Sequence, residues 1–308
     1  MKILIFGAGV LGSLYAARLK EAGEDVALVA RGRRFQELKE KGVILEDFKT
    51  GKRTHTEVRV IEGMPREEYF DVCVVLVQKT QVASALESLS QNSKIPAFIF
   101  MNNTAEGPQE MIDVLGKERV LMGHANAGGE LEGPVVHYMI AEKMPLGELD
   151  GEISDRLNRL KEVFSKAGFP VELSKNIDSW KKYHVALAVP FAYAMYAEGV
   201  CNFKLAQNRE MVRKCWRGIK EAFQVLKDLG FPPEPPKFKW VGYFPEFIVV
   251  PLFQRMLKSK IADIGMARHL RNAEEEMIGL SKEFWKLAEN CERETPNLDE
   301  LKSFFPSG

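Results

Sequence analysis

Residues 2–6, Lys2-Ile-Leu-Ile-Phe6, are apolar almost without interruption and run straight into Gly7. Short apolar runs without alternation suit strands buried on both faces of a parallel sheet. The same signature returns at Asp25–Val29, Asp71–Val77, Pro96–Met101 and Val120–Met122. Between these runs the spacing changes to that of a helix: Leu14, Ala17, Arg18 and Leu19 continue it up to Gly23, and Val82–Leu89 carries it again. Val135–Ala141 and Lys143–Gly147 read as the last strands of this half. Strand–helix alternation of this length predicts an α/β domain with a doubly wound, mostly parallel sheet.

The second half changes character. Glu152–Lys166 places Ile153, Leu157, Leu160 and Phe164 on one helical stripe, closed by Ala167-Gly168-Phe169-Pro170, and Val171–Leu173 reads as a short strand. From Asp178 onward the spacing is helical. Trp180, His184, Leu187 and Phe191 form one series, with Trp180 as the buried anchor. Met211–Leu229 carries Val212, Cys215, Trp216, Ile219, Phe223 and Leu226 on one face and stops at Gly230. Leu270, Ala273, Met277, Leu280, Phe284 and Leu287 mark a last long helix. The expected organisation is an α/β domain over residues 1–175 and an all-α domain over 176–308.

Composition removes several functional classes. Among 308 residues, 43 basic and 43 acidic side chains balance, so no net field draws the chain to nucleic acid or an anionic membrane. The longest apolar stretch, His184–Ala197, is shorter than the ~20 residues a spanning helix requires and contains Pro190. Four scattered cysteines form no CxxC pair, which suits a reducing, cytoplasmic setting. Five histidines show no metal-ligand spacing, so no metal is expected. The opening 17 residues could pass for an export signal, but Gly7, Gly9 and Gly12 interrupt them at a spacing with a better explanation, so they are read as mature protein.

That spacing is Gly7-Ala8-Gly9-Val10-Leu11-Gly12, placed between a strand and a helix. The first glycine permits a sharp turn, the second lets backbone approach a diphosphate, and the third lets helix and strand pack closely. The diphosphate then rests on unpaired N–H groups at the helix start. The reading is a Rossmann-type dinucleotide site. After the second strand, where an acid would bind a ribose hydroxyl, the chain has Arg31-Gly32-Arg33-Arg34. Guanidinium forks suit a 2′-phosphate, and Arg31 follows the strand directly, so the expected cofactor is NADP(H).

A dinucleotide domain followed by a helical one resembles the ketopantoate reductase family, the 2-dehydropantoate 2-reductases, within the wider group of 6-phosphogluconate dehydrogenase-like reductases. The resemblance rests on residues 1–19 (MKILIFGAGVLGSLYAARL), Arg31, Val-Leu-Val-Gln-Lys79-Thr80, Asn102-Asn103 and Trp180-Lys181-Lys182. It implies reduction of a 2-oxo acid by NADPH, with a place in pantothenate biosynthesis. It also implies that Lys79 helps bind the cofactor, that Asn102 contacts the nicotinamide side, and that Lys182 donates the proton.

The chemistry agrees. Hydride delivery to a ketone leaves negative charge on its oxygen, so a cation or acid must stand there. Lys182 lies about 200° around its helix from Trp180 and is expected to point away from the tryptophan's buried side, toward the cleft. The family site includes a carboxylate on the last long helix, for which Glu274, Glu275 and Glu276 are candidates. At 100° per residue Glu276 falls about 70° from the centre of the apolar stripe, Glu274 about 90°, and Glu275 nearly opposite. Glu276 is therefore favoured, sharing its stripe edge with His269 and Asn272. Where the family carries asparagines four and eight residues after the lysine, this chain has Ala186 and Pro190. Two amides suited to a hydroxylated acid are thus replaced by apolar groups, which puts ketopantoate itself in doubt. His184 and Asn202 remain as candidate substrate contacts. The alternative is a non-catalytic NADP-binding regulatory protein. Phe244–Phe253 is apolar enough for core packing or for a homodimer contact.

Overall fold

The computed structural model describes residues 1–140 and 143–306; the side chains of residues 261, 264, 265, 269 and 272 lie outside that description. Two compact units result, one of Met1–Asn102 with Pro108–Ile177, the other of Asn103–Gly107 with Asp178–Gly308.

The first unit contains twelve strands among its described residues: β1 (Lys2–Phe6), β2 (Asp25–Ala30), β3 (Val43–Asp47), β4 (Arg53–Thr56), β5 (Arg59–Glu62), β6 (Val72–Val75), β7 (Phe98–Phe100), β8 (Val120–Gly123), β9 (Ala127–Glu132), β10 (Val135–Ile140), β11 (Met144–Glu148) and β12 (Val171–Leu173). Eight form one sheet in the order β12-β11-β8-β7-β6-β1-β2-β5, parallel throughout except where β11 meets β8. Its helices are α1 (Val10–Glu21), α2 (Gly32–Lys41), α3 (Val82–Leu89), α4 (Gln109–Leu115) and α5 (Asp155–Lys166). The doubly wound architecture is thus present. The core behind α1 is aromatic: Tyr15 stacks on Phe169 with centroids 4.0 Å apart, and its hydroxyl donates to the Ala125 carbonyl at 2.8 Å. A buried phenol with a partner keeps the apolar benefit of its ring without an orphaned O–H.

The structure revises several elements. Val135–Ile140 belongs to a second, four-stranded sheet in the order β4-β3-β10-β9, whereas Ala141, expected in the same strand, lies outside the described residues. Helix α5 starts at Asp155 because Ser154 caps it, its Oγ accepting the Leu157 N–H. Ile153 therefore precedes the helix and is exposed rather than part of its stripe.

The second unit is helical: α6 (Ile177–Ala197, whose first residue counts with the first unit), α7 (Asn202–Gln207), α8 (Arg209–Asp228), α9 (Glu246–Leu257), α10 (Lys260–Ala262), α11 (Arg268–Asn272), α12 (Glu274–Ala288) and α13 (Pro296–Lys302). The last apolar stripe is buried from Leu270 to Phe284, yet the helix carrying it breaks at Ala273 (φ −128°, ψ 33°), so α11 and α12 are separate. The larger correction concerns α6. Trp180, His184 and Phe191 are only half buried and Leu187 is exposed, while Lys181, Lys182, Tyr183, Ala186 and Pro190 face inward. Reading Trp180, His184, Leu187 and Phe191 as the buried series inverts this helix. Phe244–Phe253 divides as well: Val250 is buried, but Phe247 is 74% and Leu252 60% exposed. Among the described residues no helix is long and apolar enough to cross a membrane, and no group of three or more His, Cys, Asp or Glu residues is placed to hold a metal.

Candidate functional sites

In the first unit the glycine-rich turn is built by close contact. Gly7 sits at φ +108°, and a Cβ there would lie 2.5 Å from the Leu76 carbonyl oxygen. A Cβ on Gly12 would lie 1.6 Å from the Gly7 carbonyl oxygen, so strand and helix approach to a distance only glycine allows. Gly9 differs: a Cβ there would meet nothing within 4 Å. Gly9 is also the N-cap of α1, where no side chain caps the helix and the first turn carries no acid. The early N–H groups of α1, from Val10 and Leu11 onward, thus lack side-chain acceptors at the positive end of the helix dipole. Ala8 contributes its carbonyl differently, accepting from Arg34 Nε at 3.2 Å.

Arg34 was grouped by sequence with the other arginines. In the structure it braces the turn, with two further donations, to Ser13 Oγ at 3.0 Å and to Glu37 at 2.6 Å. Arg31 is the N-cap of α2; it and Arg33 are exposed, and among the described residues neither has an ion-pair partner. No acid stands in the first turn of α2. Two free guanidinium groups beside an uncapped helix start make an anion-binding surface. Lys79 opens a short 3-10 turn after β6 and pairs with Glu110 of α4. Asn102 follows β7 and is buried. These features fit a dinucleotide: the turn leaves room where backbone must meet a diphosphate, and the guanidinium pair lies past the second strand.

The second unit assembles charge in its interior. Lys182, 4% exposed, pairs with Asp178 one turn earlier, and its ammonium lies 4.9 Å from the Phe231 ring centroid. Glu276 is buried and accepts from Asn103 Nδ2 at 3.3 Å, whereas Glu274 and Glu275 are exposed. The side chains of His269 and Asn272 lie outside the described residues. His184 stacks on Trp180, centroids 5.1 Å apart and rings 10° from parallel, on the side of α6 away from Lys182. Asn202 is 1% exposed and donates to the Leu257 carbonyl at 2.8 Å, which ties α7 to the end of α9. Ala186 is fully buried in the helical core and Pro190 packs toward α8, where its carbonyl accepts from Cys215 Sγ at 3.8 Å.

Sequence reasoning passed over Lys181. Its ammonium is 2% exposed, and burial pushes it down to about 7 against the raising influence of Asp178 and Glu283. An unfolded lysine titrates near about 10.4, so between about 7 and about 10 the unfolded chain binds more protons than the folded one. Stability is therefore expected to rise with pH across that window. Lys181→Met should flatten the rise, measured by denaturant unfolding at a series of pH values.

Residues 3–151 match the family described as ketopantoate reductase PanE/ApbA. The chain resembles the ketopantoate reductase family over just under half of its length. It is 29% identical over 191 residues to the uncharacterized oxidoreductase YkpB of Bacillus subtilis, covering 59% of this chain and 61% of that one. To the 2-dehydropantoate 2-reductase of Aquifex aeolicus it is 25% identical over 240 residues, covering 75% and 74%. The chain thus spans about three-fifths of the length of YkpB. The fold extends further: the crystal structure of 2-dehydropantoate 2-reductase from Geobacter metallireducens GS-15 superposes with a TM-score of 0.80 at 17% identity, over 99% of each chain.

Proposed function

We propose that this ketopantoate reductase relative is an NADPH-dependent reductase of a 2-oxo acid or a closely related carbonyl compound. The observation that supports it best is the pairing of an open, uncapped Gly9 turn with two unpartnered guanidinium groups, Arg31 and Arg33, at the start of α2. Gly7–Gly12 would hold the diphosphate through Gly9, Val10 and Leu11, and Arg31 the 2′-phosphate, with Lys79 and Asn102 contributing from the strand ends. When bound, NADPH supplies the hydride. The chain's own part is to hold a proton at Lys182 Nζ, where it neutralises the alkoxide formed on the substrate, and to place the Glu276 carboxylate beside Asn103. Asp178 orients the Lys182 ammonium through their ion pair. With Ala186 and Pro190 committed to core packing, the usual amide contacts to a substrate hydroxyl are missing, so the favoured substrate is less hydroxylated than ketopantoate. His184, stacked on Trp180 on the side of α6 away from Lys182, is not placed to substitute for those contacts. The exposed aromatic and aliphatic residues around Phe247 are the surface we assign to self-association.

The test is NADPH consumption against a panel of 2-oxo acids, with ketopantoate as one member. A smaller, less hydroxylated acid turned over faster than ketopantoate is the expected outcome; tight NADPH binding without turnover on any acid would favour a regulatory binding protein. The cofactor assignment has its own check. Arg31→Ala is expected to weaken NADPH binding by roughly ten- to a hundredfold, the loss of one charge-assisted contact, and to leave NADH affinity unchanged. Equal weakening of both cofactors in a fluorescence titration would contradict it.

A further inference from the structure

Helix α12 carries two buried carboxylates seven residues apart, Glu276 and Glu283, which therefore share one face two turns apart. Both reach the same short segment, 103–106. Glu276 accepts from the Asn103 side chain. Glu283 collects three donors on one oxygen: Thr104 Oγ1 at 3.0 Å, the Ala105 N–H at 2.6 Å and the Glu106 N–H at 3.3 Å. Thr104 Oγ1 in turn accepts from the Glu106 N–H at 3.2 Å. Three donors converging on one oxygen of a side chain 7% exposed tie the segment to α12. Nearby, Asp178 pairs with Lys182, and Lys286 with Glu106 at 2.9 Å near the surface.

We propose that Glu283 is a positioning residue for the reductase: its carboxylate pins the 104–106 backbone so that Asn103 meets Glu276. The assignment rests on the reductase reading given above, because it is Glu276 whose placement matters. Glu283 need not touch substrate. The 103–106 segment continues directly from β7 and Asn102, so a loosened grip would also release the chain just after Asn102. A neutral amide at position 283 retains one acceptor oxygen but brings an NH2 group that cannot accept from these donors.

Two variants test this: Glu283→Gln and Glu283→Asp. For Glu283→Gln the expected results are amide exchange at 105 and 106 faster by about tenfold, and kcat lower by up to about a hundredfold, with NADPH affinity as in the native chain. Glu283→Asp keeps both acceptor oxygens on a shorter stem, so exchange and kcat should move back together toward the native values. Unchanged exchange at 105 and 106 in Glu283→Gln would overturn the proposal. So would faster exchange with an unchanged kcat, since the grip would then be structural only. Should the native chain turn over no 2-oxo acid, the reductase reading fails by itself, and the exchange measurement still decides whether Glu283 grips the segment.

Discussion

Replacing Lys182 by alanine is expected to lower turnover of a 2-oxo acid by about 10²- to 10⁴-fold, the usual contribution of a positioned general acid. The alkoxide formed on the substrate would lose both its proton source and the adjacent positive charge. Binding of NADPH should be nearly unaffected, because the turn and the arginines assigned to it belong to the first unit. Some loss of stability will accompany the change, since the lysine stem is buried over Phe231 and Asp178 would lose its partner. That loss and the catalytic effect are separable: thermal unfolding reports one, single-turnover kinetics the other. Turnover within a few-fold of the native rate would remove Lys182 from the role.

The second large effect falls on the glycine turn. A methyl group on Gly12 would have to occupy space 1.6 Å from the Gly7 carbonyl oxygen, and both atoms are tied to backbone. Gly12→Ala must therefore push α1 away from β1. Overpacking of this kind costs about 1–3 kcal/mol or more, and it displaces the helix start that would receive the diphosphate. The expected outcome is a lowered unfolding midpoint together with loss of measurable NADPH binding. Gly9→Ala is the informative contrast. Its added methyl meets no protein atom within 4 Å, so the chain should fold as before while NADPH binds more weakly. A Gly12→Ala variant that unfolds and binds like the native chain would show that the close approach is unimportant.

Much of this was legible from residue order, and the failures have physical causes. The turn was readable because its conformational demands admit only glycine at two places. Glu276 was readable because helical geometry separates three adjacent acids by 100° each, and the structure buries that one and exposes its neighbours. The strands of the second sheet were missed where they are short and polar, as in Arg53-Thr-His-Thr56, whose side chains alternate between water and a shallow face. Helix α6 was turned the wrong way because the spacing of Trp180, His184, Leu187 and Phe191 reads as its buried side. Paired or desolvated lysines can lie inward, and the apolar aromatic pair Trp180–His184 takes the half-exposed side. Arg34 was placed with a ribose-phosphate loop because its donations to Ala8 and Ser13 depend on α2 beginning immediately after β2. The grip of Glu283 on the 104–106 segment spans 178 residues between Ala105 and its acceptor, a pairing that no local pattern announces.

One measurement bears most directly on the central claim. NADPH deuterated at C4 of the nicotinamide ring, on whichever face the enzyme uses, is incubated with the chain and an accepted 2-oxo acid, and the product is examined by mass spectrometry. The account predicts a 2-hydroxy acid that carries the deuterium on C2. A hydroxy acid lacking the label from either face, or labelled cofactor recovered unconsumed in the presence of every acid tried, would contradict it.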